Sequence, residues 1–109
     1  MLSARDRSIV RDVLAPFAPR IDRIAVFGSR ALGTARPASD IDLALWGDLD
    51  DATMARIATR FLESSLAVTV DAVAYGPHLA AAFRRHIDLV AKPLFDGAMS
   101  DDASEDHRG

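Results

Sequence analysis

Cysteine is missing altogether from the 109 residues. Its absence excludes a disulfide framework, a thiolate nucleophile and any Cys-based zinc or iron–sulfur site. Long apolar runs are missing too. None approaches the ~20 residues that cross a bilayer, and Met1-Leu2-Ser3-Ala4-Arg5-Asp6-Arg7 is not followed by the apolar stretch of a secretory signal. The expected location is therefore the cytoplasm, with no membrane partner. Lysine occurs once, at Lys92, against twelve arginines, a bias that suggests a prokaryote with a GC-rich genome. A large excess of one charge is also lacking. Four acids (Asp101, Asp102, Glu105, Asp106) and Arg108 lie between 97 and 109 and account for the whole net charge of −3, so residues 1–96 are balanced. A neutral body carries no basic footprint for nucleic acid, and no direct nucleic-acid binding is expected.

What is present is an ordinary globular composition, 50% hydrophobic and 27% charged, with length for one modest core. The expected organisation is one domain over residues 1–96 and an acidic, disordered tail over 97–109. Residues 3–15 read as an amphipathic helix capped by Ser3 and ended by Pro16 and Pro19. Arg23–Phe27 reads as a strand that stops at Gly28-Ser29, followed by one helical turn closed by Gly33. The strand Asp40–Trp46 alternates, with Ile41, Leu43 and Leu45 on one face and Asp40, Asp42, Ala44 and Trp46 on the other. Asp50 or Asp51 caps a helix to about Ser65, Ala67–Ala74 is a third strand, Pro77 opens a last helix to about Ile87, and Lys92–Phe95 is a short extended segment. This order predicts an α/β domain whose sheet has helices on one face and leaves the other open.

Chemistry concentrates on the open face. Asp40 and Asp42 lie two residues apart on a strand and so point to one side, where their repulsion is costly unless a divalent cation sits between them. Taken alone, such a pair is most often a turn cap and a solvated side chain. Twelve residues before Asp40, Gly28-Ser29 ends a strand, where a glycine backbone and a serine hydroxyl can cradle phosphate oxygens. Asp71, facing away from the Val68/Val70 set of its own strand, supplies a third carboxylate. A cradle, a carboxylate pair and a third carboxylate are the parts required for two-metal phosphoryl chemistry.

Gly28-Ser29, ten residues, then Asp40-Ile41-Asp42 resembles the signature of the polymerase-β-like nucleotidyltransferase superfamily. The longer strings Phe27–Gly33 and Ser39–Leu45 are similar to its minimal nucleotidyltransferase (MNT) group. The resemblance spans about residues 20–95 and implies a small mixed sheet with an open active-site face. It implies that Asp40, Asp42 and Asp71 are catalytic and hold Mg²⁺, two ions in all. It also implies that Gly28, Ser29 and Arg30 bind the nucleotide, with ATP as substrate. MNT proteins pair with HEPN-domain toxins, so the resemblance further implies an antitoxin that moves AMP to a hydroxyl, a tyrosine, of a HEPN ribonuclease. A non-catalytic antitoxin that neutralises by binding, or a transferase for a small molecule, are the alternatives. The chain departs from the group at Leu32, where many members have a second arginine, and at Val90-Ala91, where they often carry an acid and a glycine.

The remaining polar and aromatic residues read more plainly. Trp46 shares the aspartate face but is expected to pack, and Thr69 shares a face with Asp71. His78, His86 and His107 show no ligand spacing and read as surface or helix-end residues. Arg84-Arg85 read as the solvated side of the last helix.

Overall fold

The computed structural model describes residues 2–95, and the acidic tail lies outside the described residues. Helix α1 (Ala4–Leu14) starts where the Ser3 hydroxyl accepts the Asp6 N–H at 3.0 Å, and it buries Val10, Val13 and Leu14. Pro16 and Pro19 then tighten the chain into a 3₁₀ turn, Ala15–Arg20. Strand β1 (Ile21–Phe27), the single-turn helix α2 (Ser29–Leu32), strand β2 (Ile41–Gly47), helix α3 (Asp51–Leu62), strand β3 (Val70–Ala74), helix α4 (Ala81–Val90) and strand β4 (Lys92–Pro93) follow. Asp50 caps α3 by accepting the Thr53 N–H at 2.8 Å.

The four strands form one sheet in the order β3-β2-β1-β4. β1 is antiparallel to both β2 and β4, whereas β2 and β3 run parallel and are joined through α3. The sheet is mixed, as expected. Its first face carries Ile24, Val26, Ile41, Leu43 and Leu45, which pack with Val10, Leu14, Ile57 and Phe61 of α1 and α3 into the main core. Burying each such side chain contributes about 1.5–3 kcal/mol, so the alternation in β2 fixes which side of that strand faces the helices.

The second face is more covered than the sequence suggests. Phe83, Ile87 and Val90 of α4 form an apolar stripe, and Phe27, Ala44 and Val73 are the apolar sheet residues left to receive it. Helix α4 also begins later than predicted, at Ala81. Pro77 instead occupies the second position of a turn closed by the Leu79 N–H on the Gly76 carbonyl at 3.1 Å, where proline's fixed φ is well suited. β3 likewise starts at Val70. Its ladder to β2 is approached by the Ile41 N–H donating to the Thr69 carbonyl at 2.9 Å, and residues 67–69 lie outside the strand. Open surface remains on this face at the end where Asp40 and Asp71 are exposed and Asp42 is half-buried. Among the described residues no helix is long and apolar enough to cross a membrane.

Candidate active site

β1 delivers the chain into a conformation reserved for glycine. Gly28 has φ 72° and ψ −152°, a region that a Cβ essentially forbids. Its carbonyl accepts the N–H groups of both Ala31 and Leu32 at 3.1 Å, which winds Ser29–Leu32 into one turn immediately after the strand. Gly33, at φ 78°, closes that turn in the left-handed conformation with its N–H on the Ser29 carbonyl.

Strand register brings the carboxylates to this turn. Phe27 is opposite Asp42 across β1 and β2, and Asp42 is opposite Asp71 across β2 and β3. The backbone of Gly28 lies directly against the Asp42 carboxylate: a Cβ at position 28 would collide with Asp42 Oδ2 and stand 3.2 Å from Cγ. The glycine thus has two reasons to be there, its own dihedral angles and the carboxylate packed on it. Gly28, Asp42 and Asp71 are brought together, with Ser29 next in the chain and Asp40 two residues before Asp42.

The electrostatics follow from that crowding. Burial, then Asp71, then Asp40 hold the Asp42 carboxyl above its ordinary value, and His86 opposes them. Among the described residues no three acidic or imidazole groups converge as a ready-made chelate. The donor chemistry nonetheless fits a hard divalent cation, because the oxygens are all carboxylate and their repulsion is what such a charge would cancel. The sign for stability is definite. A carboxylate whose folded pKa is raised costs nothing when protonated in both states; its penalty grows as pH rises from the ordinary carboxylate value and is complete above the raised one. Asp42→Asn, in chelator, is therefore expected to melt above wild type at neutral pH. The gap should close as pH falls below the ordinary carboxylate range, which thermal denaturation across pH checks.

Arg30, expected at the nucleotide, has a structural task as well. Its Nη2 donates to the Ser39 carbonyl at 2.8 Å and more weakly to that of Pro37 at 3.5 Å. The Ser39 hydroxyl accepts the Arg36 N–H at 2.8 Å. These bonds tie α2 to the loop that ends at Asp40, so the arginine helps place a carboxylate. Its Nε is buried with no hydrogen-bond partner among the described residues.

His86 is the residue that sequence reading missed. Helix α4 sets its ring edgewise to Phe27, with centroids 6.2 Å apart and planes at 81°. This is near enough to Asp42 for the imidazole to act on its carboxylate. The signal was the spacing of three from Phe83, which puts both on one helix face. It is usable only once α4 is known to lie on the aspartate side of the sheet.

Trp46 sits on the same sheet face, but about 13 Å along β2 from Asp42. It stacks on Tyr75 at 4.9 Å and lies under the Arg23 guanidinium at 4.3 Å, while the Tyr75 hydroxyl donates to Asp88 at 2.7 Å. It packs, as expected. Thr69 lines an open cleft of about 400 Å³ beside Asp40. A larger hollow of about 670 Å³ lies between the 3₁₀ turn and α3, lined by Phe17, Arg20 and Arg56 among others. It contains none of the aspartates and plays no part in this site.

A glycine turn thus packs against the Asp42 carboxylate, and Asp71 lies in register with Asp42 on the adjacent parallel strand. The model of the polymerase beta nucleotidyltransferase family matches residues 11–98, and the chain belongs to that family. Solved structures agree on the fold. A toxin–antitoxin crystal structure with AMP-PNP superposes with a TM-score of 0.69 at 21% identity, covering 94% of this chain and 89% of that one. The toxin–antitoxin MntA–HepT gives 0.65 at 18%, covering 97% and 89%. No functionally curated protein matches the chain in sequence.

Proposed function

We propose that this protein is the antitoxin of a HEPN–MNT pair and transfers AMP from ATP to a hydroxyl, a tyrosine, of its HEPN ribonuclease partner. The observation that carries the reading is the contact of the Gly28 backbone with the Asp42 carboxylate, with Asp71 in register beside it. That contact supports the reading because it sets the glycine–serine turn beside the carboxylates in one place. The neighbours named as toxin–antitoxin complexes, one of them with AMP-PNP, support the choice of partner and nucleotide.

The residues divide the work by position. Gly28 and Ser29 grip the β- and γ-phosphates, and Arg30 braces the loop that presents Asp40. Asp40 and Asp42 would hold Mg²⁺, and Asp71, on the edge strand β3, would complete the set for a second ion. Bound Mg²⁺ supplies Lewis-acid neutralisation of charge on the phosphates. The acceptor oxygen bonds to the α-phosphorus, the α–β bridging bond breaks, pyrophosphate leaves in line, and the hydroxyl proton is lost on the Asp71 side. Positioning and charge neutralisation do most of the catalysis. With ATP and a HEPN toxin as its substrates, the reaction would belong to the cytoplasm.

Intact-mass spectrometry of the co-purified complex, incubated with each nucleoside triphosphate and Mg²⁺, tests this. One or more AMP units should appear on the partner with ATP. A partner of unchanged mass that is nevertheless neutralised would favour an antitoxin acting by binding alone. Nucleotide transfer to a small molecule without any partner would favour the third reading. Retention of three mutually repelling carboxylates speaks against a binding-only role.

A further inference from the structure

We infer that His86 is a substrate-binding residue of this site, its imidazole N–H donating to the triphosphate on the Phe27–Gly28 side of Asp42. The inference rests on the nucleotidyltransferase reading and adds to it a residue outside the glycine–serine and aspartate motifs.

The placement is fixed by packing. Ile87, the next residue, is fully buried with Phe27 and Ala44. Phe83, one turn earlier, meets the Phe27 ring edge-on at 5.6 Å. His86 is therefore carried on an anchored segment, half-buried, with its ring against the residue that precedes Gly28. Among the described residues no hydrogen-bond partner engages its ring nitrogens, which leaves an N–H donor available.

The site needs such a donor. Three carboxylates make the pocket negative, and a triphosphate adds more negative charge. Arg30 has spent part of its guanidinium on the Ser39 and Pro37 carbonyls. Leu32, 56% exposed at the end of the same turn, offers none. Direction comes from the sheet order. Asp71 lies on β3, to one side of β2, and Phe27 on β1, to the other. His86, seated over Phe27, stands on the side of the cradle and the departing pyrophosphate, away from the attacking hydroxyl.

Two substitutions separate the donor from the packing. His86→Phe keeps an aromatic ring against Phe27 and removes the N–H, while His86→Gln keeps a donor. Calorimetry on the full chain with Mg²⁺ would measure AMP-PNP directly and AMP by competition. A hydrogen bond to a charged group corresponds to roughly a tenfold change or more. His86→Phe should weaken AMP-PNP about tenfold and leave AMP unchanged, and His86→Gln should recover most of the loss. Equal AMP-PNP affinity in wild type and His86→Phe overturns the inference while leaving the nucleotidyltransferase reading intact. Parallel loss of AMP and AMP-PNP overturns it too, by showing a structural role. Wild type that binds no AMP-PNP overturns both.

Discussion

Asp42→Ala should abolish transfer, lowering the rate by about three orders of magnitude, while the protein stays folded. Asp42 sits at the junction of the three functional parts: its carboxylate touches the Gly28 backbone, is in register with Asp71, and follows Asp40 by two residues. Removing it takes away the carboxylate that meets both the Gly28 turn and Asp71. The fold has little to lose. Asp42 is half-buried among like charges that hold its carboxyl above the ordinary value, so its ionised form opposes folding. Circular dichroism and a melting curve would show an intact fold, and a radiolabel or mass assay would show no product. Transfer at the wild-type rate would remove Asp42 from the mechanism.

Gly28→Ala should damage both activity and stability. A residue with a Cβ at φ 72° and ψ −152° costs on the order of 1–3 kcal/mol in backbone strain alone, and the added methyl also meets the Asp42 carboxylate. The turn and the aspartate cannot both stay in place, and a displacement of about 1 Å at reacting groups costs on the order of a hundredfold in rate. The double variant Gly28→Ala/Asp42→Ala distinguishes the two sources of damage. Truncating Asp42 removes the collision but not the strain, so the double variant should regain part of the melting temperature lost by Gly28→Ala, with no activity regained. Additive melting-temperature losses would mean that the two residues do not press on each other.

Much of this site was legible because it depends on local rules. The period-two alternation of Ile41, Leu43 and Leu45 against Asp42 and Ala44 gives the sheet side of Asp42 directly. The Gly28-Ser29 stop after an apolar run gives the turn, and both helix caps tested, Ser3 and Asp50, stand where short polar residues precede an amphipathic run. What was not legible depends on tertiary choice. Nothing local tells which face of the sheet α4 will cover, so an open face was expected where Phe83 and Ile87 in fact lie, and His86 could not be placed at the site. Arg30 shows the same limit. A basic residue beside a phosphate cradle suggests an anion, yet its Nη2 reaches the carbonyls of Pro37 and Ser39, which are distant by seven and nine residues. Pro77 misled for a different reason: proline suits the first turn of a helix and the second position of a β-turn equally well, and the chain uses the latter.

In the proposed reaction the α-phosphoryl group, carrying its nucleoside, moves to the partner. The most direct measurement uses the co-purified HEPN-domain partner, Mg²⁺ and ATP labelled at either the α- or the γ-phosphate. Label should reach the partner from α-labelled ATP only, with the γ-label released as pyrophosphate and both signals lost in Asp42→Ala. Label on the partner from γ-labelled ATP, or none from either, would contradict this reaction.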